Sequence, residues 1–234
     1  VNRTEHRASL QEQIAALAAR RMAEDGEDAD RAKHKAAADL LGDAARVHGA
    51  LPDNEQLRAA LRAYLRSYGG QAYRDWLRGQ RLLALEWMHR LERFAPHLVG
   101  PVLDASATRT ARVELDLYAD SAKDVEMTLL DLGIDFRVDQ AEGRHRHVQQ
   151  LIGFVAHVAP ETGPASVRAR PGTLRGTPVL LTIKDPVALR TGSGMRKGTA
   201  EPQLHPVERA ARADTTMLRR LLDDTDRPDA PDAR

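Results

Sequence analysis

Glu114 and Asp116 stand two residues apart in the run Arg112-Val113-Glu114-Leu115-Asp116-Leu117-Tyr118, which alternates polar and apolar side chains. On an extended strand both carboxylates leave one face, while Val113, Leu115 and Leu117 leave the other and can anchor the strand in a core. Two carboxylates held side by side on a rigid element offer oxygen ligands to a hard cation such as Mg²⁺. Such a cation neutralises a bound triphosphate and the charge that develops during in-line displacement at phosphorus. The same alternation also describes a half-solvated strand on which Arg112 pairs with Glu114 and Asp116. The pattern by itself supports both readings.

Three further stretches carry chemically capable residues. Gly192-Ser193-Gly194-Met195-Arg196-Lys197-Gly198 could wrap a phosphate with backbone N–H groups and two cations. It lacks the strand-before, helix-after setting of a phosphate loop, so it reads as a flexible loop that can still donate Arg196 or Lys197 to a nucleotide bound elsewhere. Arg144-His145-Arg146-His147 places two imidazoles on one face if extended, with no third metal ligand nearby. His157, inside an apolar run, reads as a core or edge histidine. No Ser/His/Asp arrangement is recognisable.

The elements that must position these residues divide the chain. Residues 1–95 read as helical. Leu10, Ile14, Leu17, Ala18 and Met22 recur at helical spacing up to Asp25-Gly26, and a second helix spans 30–41 and ends at Gly42. A third helix is capped by Asp53 or Asn54, presents Leu57, Leu61, Tyr64 and Leu65, and breaks at Gly69-Gly70. A fourth covers 71–94 with Tyr73, Trp76, Leu83, Trp87, Leu91 and Phe94 on its inner stripe, so both tryptophans are expected in a core. Pro96 ends it. A short strand or turn surrounds Gly100-Pro101, strands are expected at 112–118, 134–138, 147–158 and 177–184, and Ser121 or Asp120 caps a helix that Gly133 ends. The 112–118 and 134–138 strands are expected side by side. Residues 160–176 read as a loop, 191–206 as a loop, 207–222 as a helix and 223–234 as a disordered tail.

Composition narrows the classes. Thirty-five basic residues face 34 acidic ones, for a net charge of +1, so no global field argues for nucleic acid or an anionic membrane. The absence of cysteine removes disulfides and thiolate zinc sites. The first residues lack the apolar core of a signal peptide, and no run approaches the roughly 20 apolar residues of a membrane-spanning helix. A cytoplasmic protein is the expectation.

The stretch Leu98-Val99-Gly100-Pro101-Val102-Leu103, followed by the 112–118 strand and then Ala119-Asp120-Ser121-Ala122-Lys123-Asp124-Val125-Glu126, resembles the minimal nucleotidyltransferases of the polymerase-β superfamily. Their pattern is an apolar residue, Gly-Ser, a gap of about ten residues, then Asp-x-Asp or Asp-x-Glu on a strand. The likeness covers mainly residues 94–138, with an echo near 178–183. It implies an α+β chain: a helical N-terminal region (1–95), then a small mixed-sheet nucleotidyltransferase-like α/β domain (96–190), then the loop and helix (191–222). It further implies Mg²⁺-dependent transfer of a nucleotidyl group from a nucleoside triphosphate to an unknown acceptor. Glu114 and Asp116 would hold the metal, with Asp185 as a substitute third acid, and Gly100, Arg112, Arg196 and Lys197 would bind the nucleotide.

Departures from that pattern define the alternative. Pro101 replaces the serine and supplies neither a hydroxyl nor a backbone N–H. In the stricter register the first acid falls on Arg112, and the later strand, Val179-Leu180-Leu181-Thr182-Ile183, lacks an acid. The alternative is a catalytically degenerate fold that binds a nucleotide or a protein partner.

Overall fold

The computed structural model describes residues 2–42, 51–139, 147–156, 176–191, 201 and 203–225. The 192–198 loop with Arg196 and Lys197, the 144–146 run, His157, residues 160–175 and 226–234 lie outside the described residues. The chain forms two compact units. One runs through Leu77 and takes in Ala105–Thr110; the other holds Arg78–Asp104 and the described residues from Ala111 onward.

In the first unit, α1 (Asn2–Asp25) and α2 (Ala29–Leu41) are amphipathic helices. Gly26 follows α1 with φ +68, a left-handed conformation that glycine adopts without steric cost. The Asp28 carboxylate caps α2 by accepting from Arg31 N at 2.9 Å. Their shared core is built on small residues. Ile14, Ala18, Ala32, Ala36 and Ala37 are buried together with Leu57, and Leu10, Leu17 and Met22 pack around them. Alanines on both helices let the backbones approach, so the interface gains its contacts from proximity rather than side-chain bulk.

Helix α3 (Asn54–Arg90) starts with a reciprocal cap. The Asp53 carboxylate accepts from Glu55 N and Gln56 N, and the Gln56 side chain accepts from Asp53 N, all at 2.8 Å. The break expected at Gly69-Gly70 is present as one non-helical residue, Gly70 (φ 56, ψ −155), inside otherwise continuous helix. The sequence places the change of region at Pro96, yet the division between compact units falls inside α3, after Leu77. Helical periodicity reports that a stripe is buried and says nothing about which neighbours bury it.

The second unit holds a five-stranded mixed sheet of order β1-β2-β5-β4-β3, with β1 His97–Val99, β2 Val113–Tyr118, β3 Phe136–Asp139, β4 Val148–Ala156 and β5 Thr177–Lys184. Only β2 and β5 are parallel; the other pairs are antiparallel. The α+β expectation thus holds at the level of helices plus a mixed sheet.

The neighbour of β2 differs from expectation. Strand β3 does not flank β2; β5 and β4 lie between them. Strand β5 carries Val179, Leu181 and Ile183 as an apolar row and suits the centre, whereas β3 exposes Arg137, Val138 and Asp139, as an edge strand does.

In register, Val113, Leu115 and Leu117 of β2 lie beside Val179, Leu181 and Ile183 of β5, and Leu181 and Val179 lie beside Ile152 and Phe154 of β4. All are buried and form one apolar face. The ring of Trp87 meets Phe154 edge-on at 4.5 Å. Helix α5 (Ala122–Asp131), capped by Ser121, turns Val125 and Leu129 inward, and Gln150 of β4 donates to Glu126 at 2.8 Å.

The C-terminal helix α7 is Thr215–Thr225, later than the expected 207–222. The reason is local. Asp214 caps it, accepting from Met217 N at 2.8 Å, and Ala213 is extended, exchanging two backbone hydrogen bonds with Leu98 of β1. Residues 223–225, expected in the tail, belong to this helix. Among the described residues no helix is long and apolar enough to cross a membrane.

The two tryptophans separate. Trp87 is 3% exposed, whereas Trp76, expected in the core, is only half-buried. Trp87→Ala is therefore expected to cost about 3–5 kcal/mol in urea unfolding, and Trp76→Ala about 1 kcal/mol. Equal losses at the two positions would contradict this assignment.

Candidate functional site

Gly100 ends β1 and opens the single-turn helix α4 (Gly100–Leu103), with Pro101 in its first turn, where a missing N–H costs nothing. Its φ is +73, and Val99 lies in register with Glu114. A Cβ on Gly100 would stand 2.5 Å from Glu114 Oε2 and 3.0 Å from its Cδ. Glycine thus serves twice: it supplies the left-handed turn and lets the carboxylate lie against the backbone.

Alternation sends Glu114, Asp116 and Tyr118 to the face of β2 opposite the apolar row. The register places Leu180 beside Glu114 and Thr182 beside Asp116 on β5, with His97 beside Asp116 on β1. The structure brings Gly100, Arg112 and Glu114 together. Arg112 Nε donates to Glu114 at 3.3 Å, with the two side chains 55% and 28% exposed, a geometry worth at most about 1 kcal/mol.

Asp116 is in a different environment. Its residue is 6% exposed, and Lys184 Nζ, at the end of β5, donates to its carboxylate at 2.6 Å. This is a charge-assisted pair between adjacent parallel strands, largely withdrawn from water. Tyr118, next on the same face, is packed edge-on by His97 at 5.4 Å and accepts from Arg212 at 3.0 Å. Arg212 also donates to Leu189 O at 2.6 Å, closing the end of α6 (Val187–Thr191).

Asp185 is turned to another task. Its carboxylate accepts from Val187 N at 2.7 Å and caps α6, a helix the sequence did not signal. Among the described residues no group of three His, Cys, Asp or Glu is placed to hold a metal ion. The donor set does not fit Mg²⁺. One carboxylate is neutralised by a lysine, the other lies against an arginine, and the neighbouring positions on β5 are Leu180 and Thr182.

Lys184, His97, Tyr118 and Arg212 were not singled out from sequence. Lys184 ends an alternating strand on its polar side, which is a visible signal. Its pairing with Asp116 depends on which strand lies beside β2, and alternation alone does not show that. Comparisons with family models, with curated proteins and with solved structures gave no match.

Two stability outcomes follow. Gly100→Ala should cost about 1–2 kcal/mol from the left-handed turn. Most of that loss should persist in the Gly100→Ala/Glu114→Ala pair, because the glutamate tip can swing aside whereas the backbone strain remains. Lys184→Met strands a buried carboxylate and should cost about 3 kcal/mol. Adding Asp116→Asn should recover part of that loss. Urea unfolding of these four variants, together with Glu114→Ala and Asp116→Asn alone, reads both effects, and an additive Asp116/Lys184 cycle would deny the pair.

Proposed function

We propose that this chain is a catalytically silent nucleotidyltransferase-like protein, a binding module in which the metal-holding carboxylate pair has become part of an internal ion-pair arrangement. The observation that carries this reading is the 2.6 Å contact between Lys184 and the buried Asp116. An ammonium at that distance neutralises the Asp116 carboxylate, and a metal would have to displace it from a largely desolvated pair. The resemblance along residues 94–138 supports the choice of fold family, and Pro101 in place of serine supports the loss of transfer chemistry.

The enzymatic reading draws on one observation. Glu114 remains partly exposed, with its carboxylate lying against the Gly100 turn. Among the described residues Glu114 lacks the partners needed to assemble a metal site, and on these residues the binding module is the better-supported function. A nucleoside triphosphate held without turnover is the first ligand to test.

Thermal melting with Mn²⁺ plus ATP distinguishes the readings. A ligand that binds only the folded state stabilises it by about 2.7 kcal/mol at a hundredfold excess over its dissociation constant. The expected result is that any stabilisation by ATP is independent of Mn²⁺ and survives Glu114→Gln/Asp116→Asn. A Mn²⁺-dependent rise abolished by that double substitution would restore the enzymatic reading.

A further inference from the structure

The helical unit contains a pocket of about 240 Å³ lined by Glu24 of α1, by Tyr64, Tyr68, Gly69 and Tyr73 of α3, and by Arg109 of the 105–110 loop. Its shape begins with the Gly69-Gly70 pair. A Cβ at Gly69 would lie 2.5 Å from Cβ of Tyr73 and 2.9 Å from its Cγ, so glycine is what lets that ring tuck in. The Tyr73 hydroxyl lies 3.0 Å from Ala105 O and 3.1 Å from Ala107 O, and its proton ties down the loop that delivers Arg109. Ala105 itself has φ +60, a conformation an alanine holds only when its surroundings impose it.

The two charged groups of the pocket are in opposite situations. Glu24 is satisfied at both oxygens: Tyr64 donates its hydroxyl to one, and Arg20 Nε donates to the other at 2.9 Å. The Tyr64 hydrogen bond, then the Arg20 one, hold the Glu24 carboxyl below its ordinary range, and the same Glu24 contact raises the Tyr64 phenol. Arg109 rests over the face of Trp76 at 5.3 Å and reaches Ala72 O at 3.5 Å. Among the described residues it forms no ion pair. A guanidinium with no ion pair among the described residues, beside a carboxylate satisfied at both oxygens, favours an anion over a cation as ligand.

The remaining wall is aromatic. Tyr64 and Tyr68 lie with ring centroids 4.6 Å apart and tilted by 30°, and Tyr68 leaves 76% of its surface exposed. A large ring held against a partner yet open to water is a stacking platform.

We infer that this pocket binds a small flat ring bearing an anionic group, the ring against Tyr68 and Tyr64 and the anion on Arg109. The anion is a carboxylate or a phosphate, because the guanidinium fork matches both. The site is independent of the Glu114 and Asp116 reading.

Calorimetry on the full chain tests it, with indole-3-acetate and phenyl phosphate as probes and indole, inorganic phosphate and tetramethylammonium as controls. At least one anionic ring should bind with a dissociation constant below about 1 mM, and indole and inorganic phosphate at least about tenfold more weakly, as loss of a charge-assisted contact implies. Tighter binding of indole-3-acetate would name the carboxylate source, and tighter binding of phenyl phosphate the phosphate. Arg109→Met and Tyr68→Ala alter exposed side chains and should each weaken the favoured probe by about tenfold. The inference is overturned if neither anionic ring binds, if indole or tetramethylammonium binds as tightly, or if affinity is unchanged in Arg109→Met.

Discussion

The parallel pairing of β2 with β5 is the constraint on which the sheet unit depends. It sets Val113, Leu115 and Leu117 beside Val179, Leu181 and Ile183, six buried apolar side chains in one continuous row. A slip of one residue would turn every one of them to the other face. The register also settles the opposite face. Once Leu117 faces Ile183, Asp116 must lie beside Thr182, with Lys184 one pleat further along, close enough for its ammonium to reach the carboxylate. Hydrophobic burial thus fixes where the charges meet.

That geometry separates two residues with the same chemistry. Glu114 and Asp116 share a strand and a face, yet one lies at a solvated edge beneath Gly100 and the other is enclosed against a lysine. A divalent site needs both carboxylates to present oxygens toward one point. Here each is directed toward its own cation. The helical unit shows the complementary case: Glu24 is satisfied by Tyr64 and Arg20, while Arg109 forms no ion pair among the described residues.

Local signals were legible in the sequence. Asp53, Ser121, Gly26, Gly42 and Gly133 mark helix ends because their chemistry acts within one turn of the chain. The limits of β5 follow from an alternation bounded by turn residues and a charged end. Strand order was not legible, since alternation shows which face is apolar and not which strand lies alongside. The same limit hid the Lys184 contact and the partial exposure of Trp76. The resemblance offers Asp185 as a substitute third acid just past β5, but an aspartate two residues before a helical N–H is equally a cap, and the helix it caps is too short to leave a periodic trace. Residues 207–214 carry helix-compatible side chains, yet pairing of Ala213 with Leu98 holds them out of the helix.

Asp116 is held by Lys184, and on the proposed reading this pairing keeps a divalent ion from gathering on that face of the sheet. Paramagnetic broadening by Mn²⁺ addresses this directly, because the metal relaxes amide resonances of the residues it binds beside and leaves distant ones sharp. On a ¹⁵N-labelled chain in the presence of ATP, the account predicts no selective broadening of β2 and β5 amides. Broadening centred on Glu114 and Asp116, reversed by excess Mg²⁺, would contradict it.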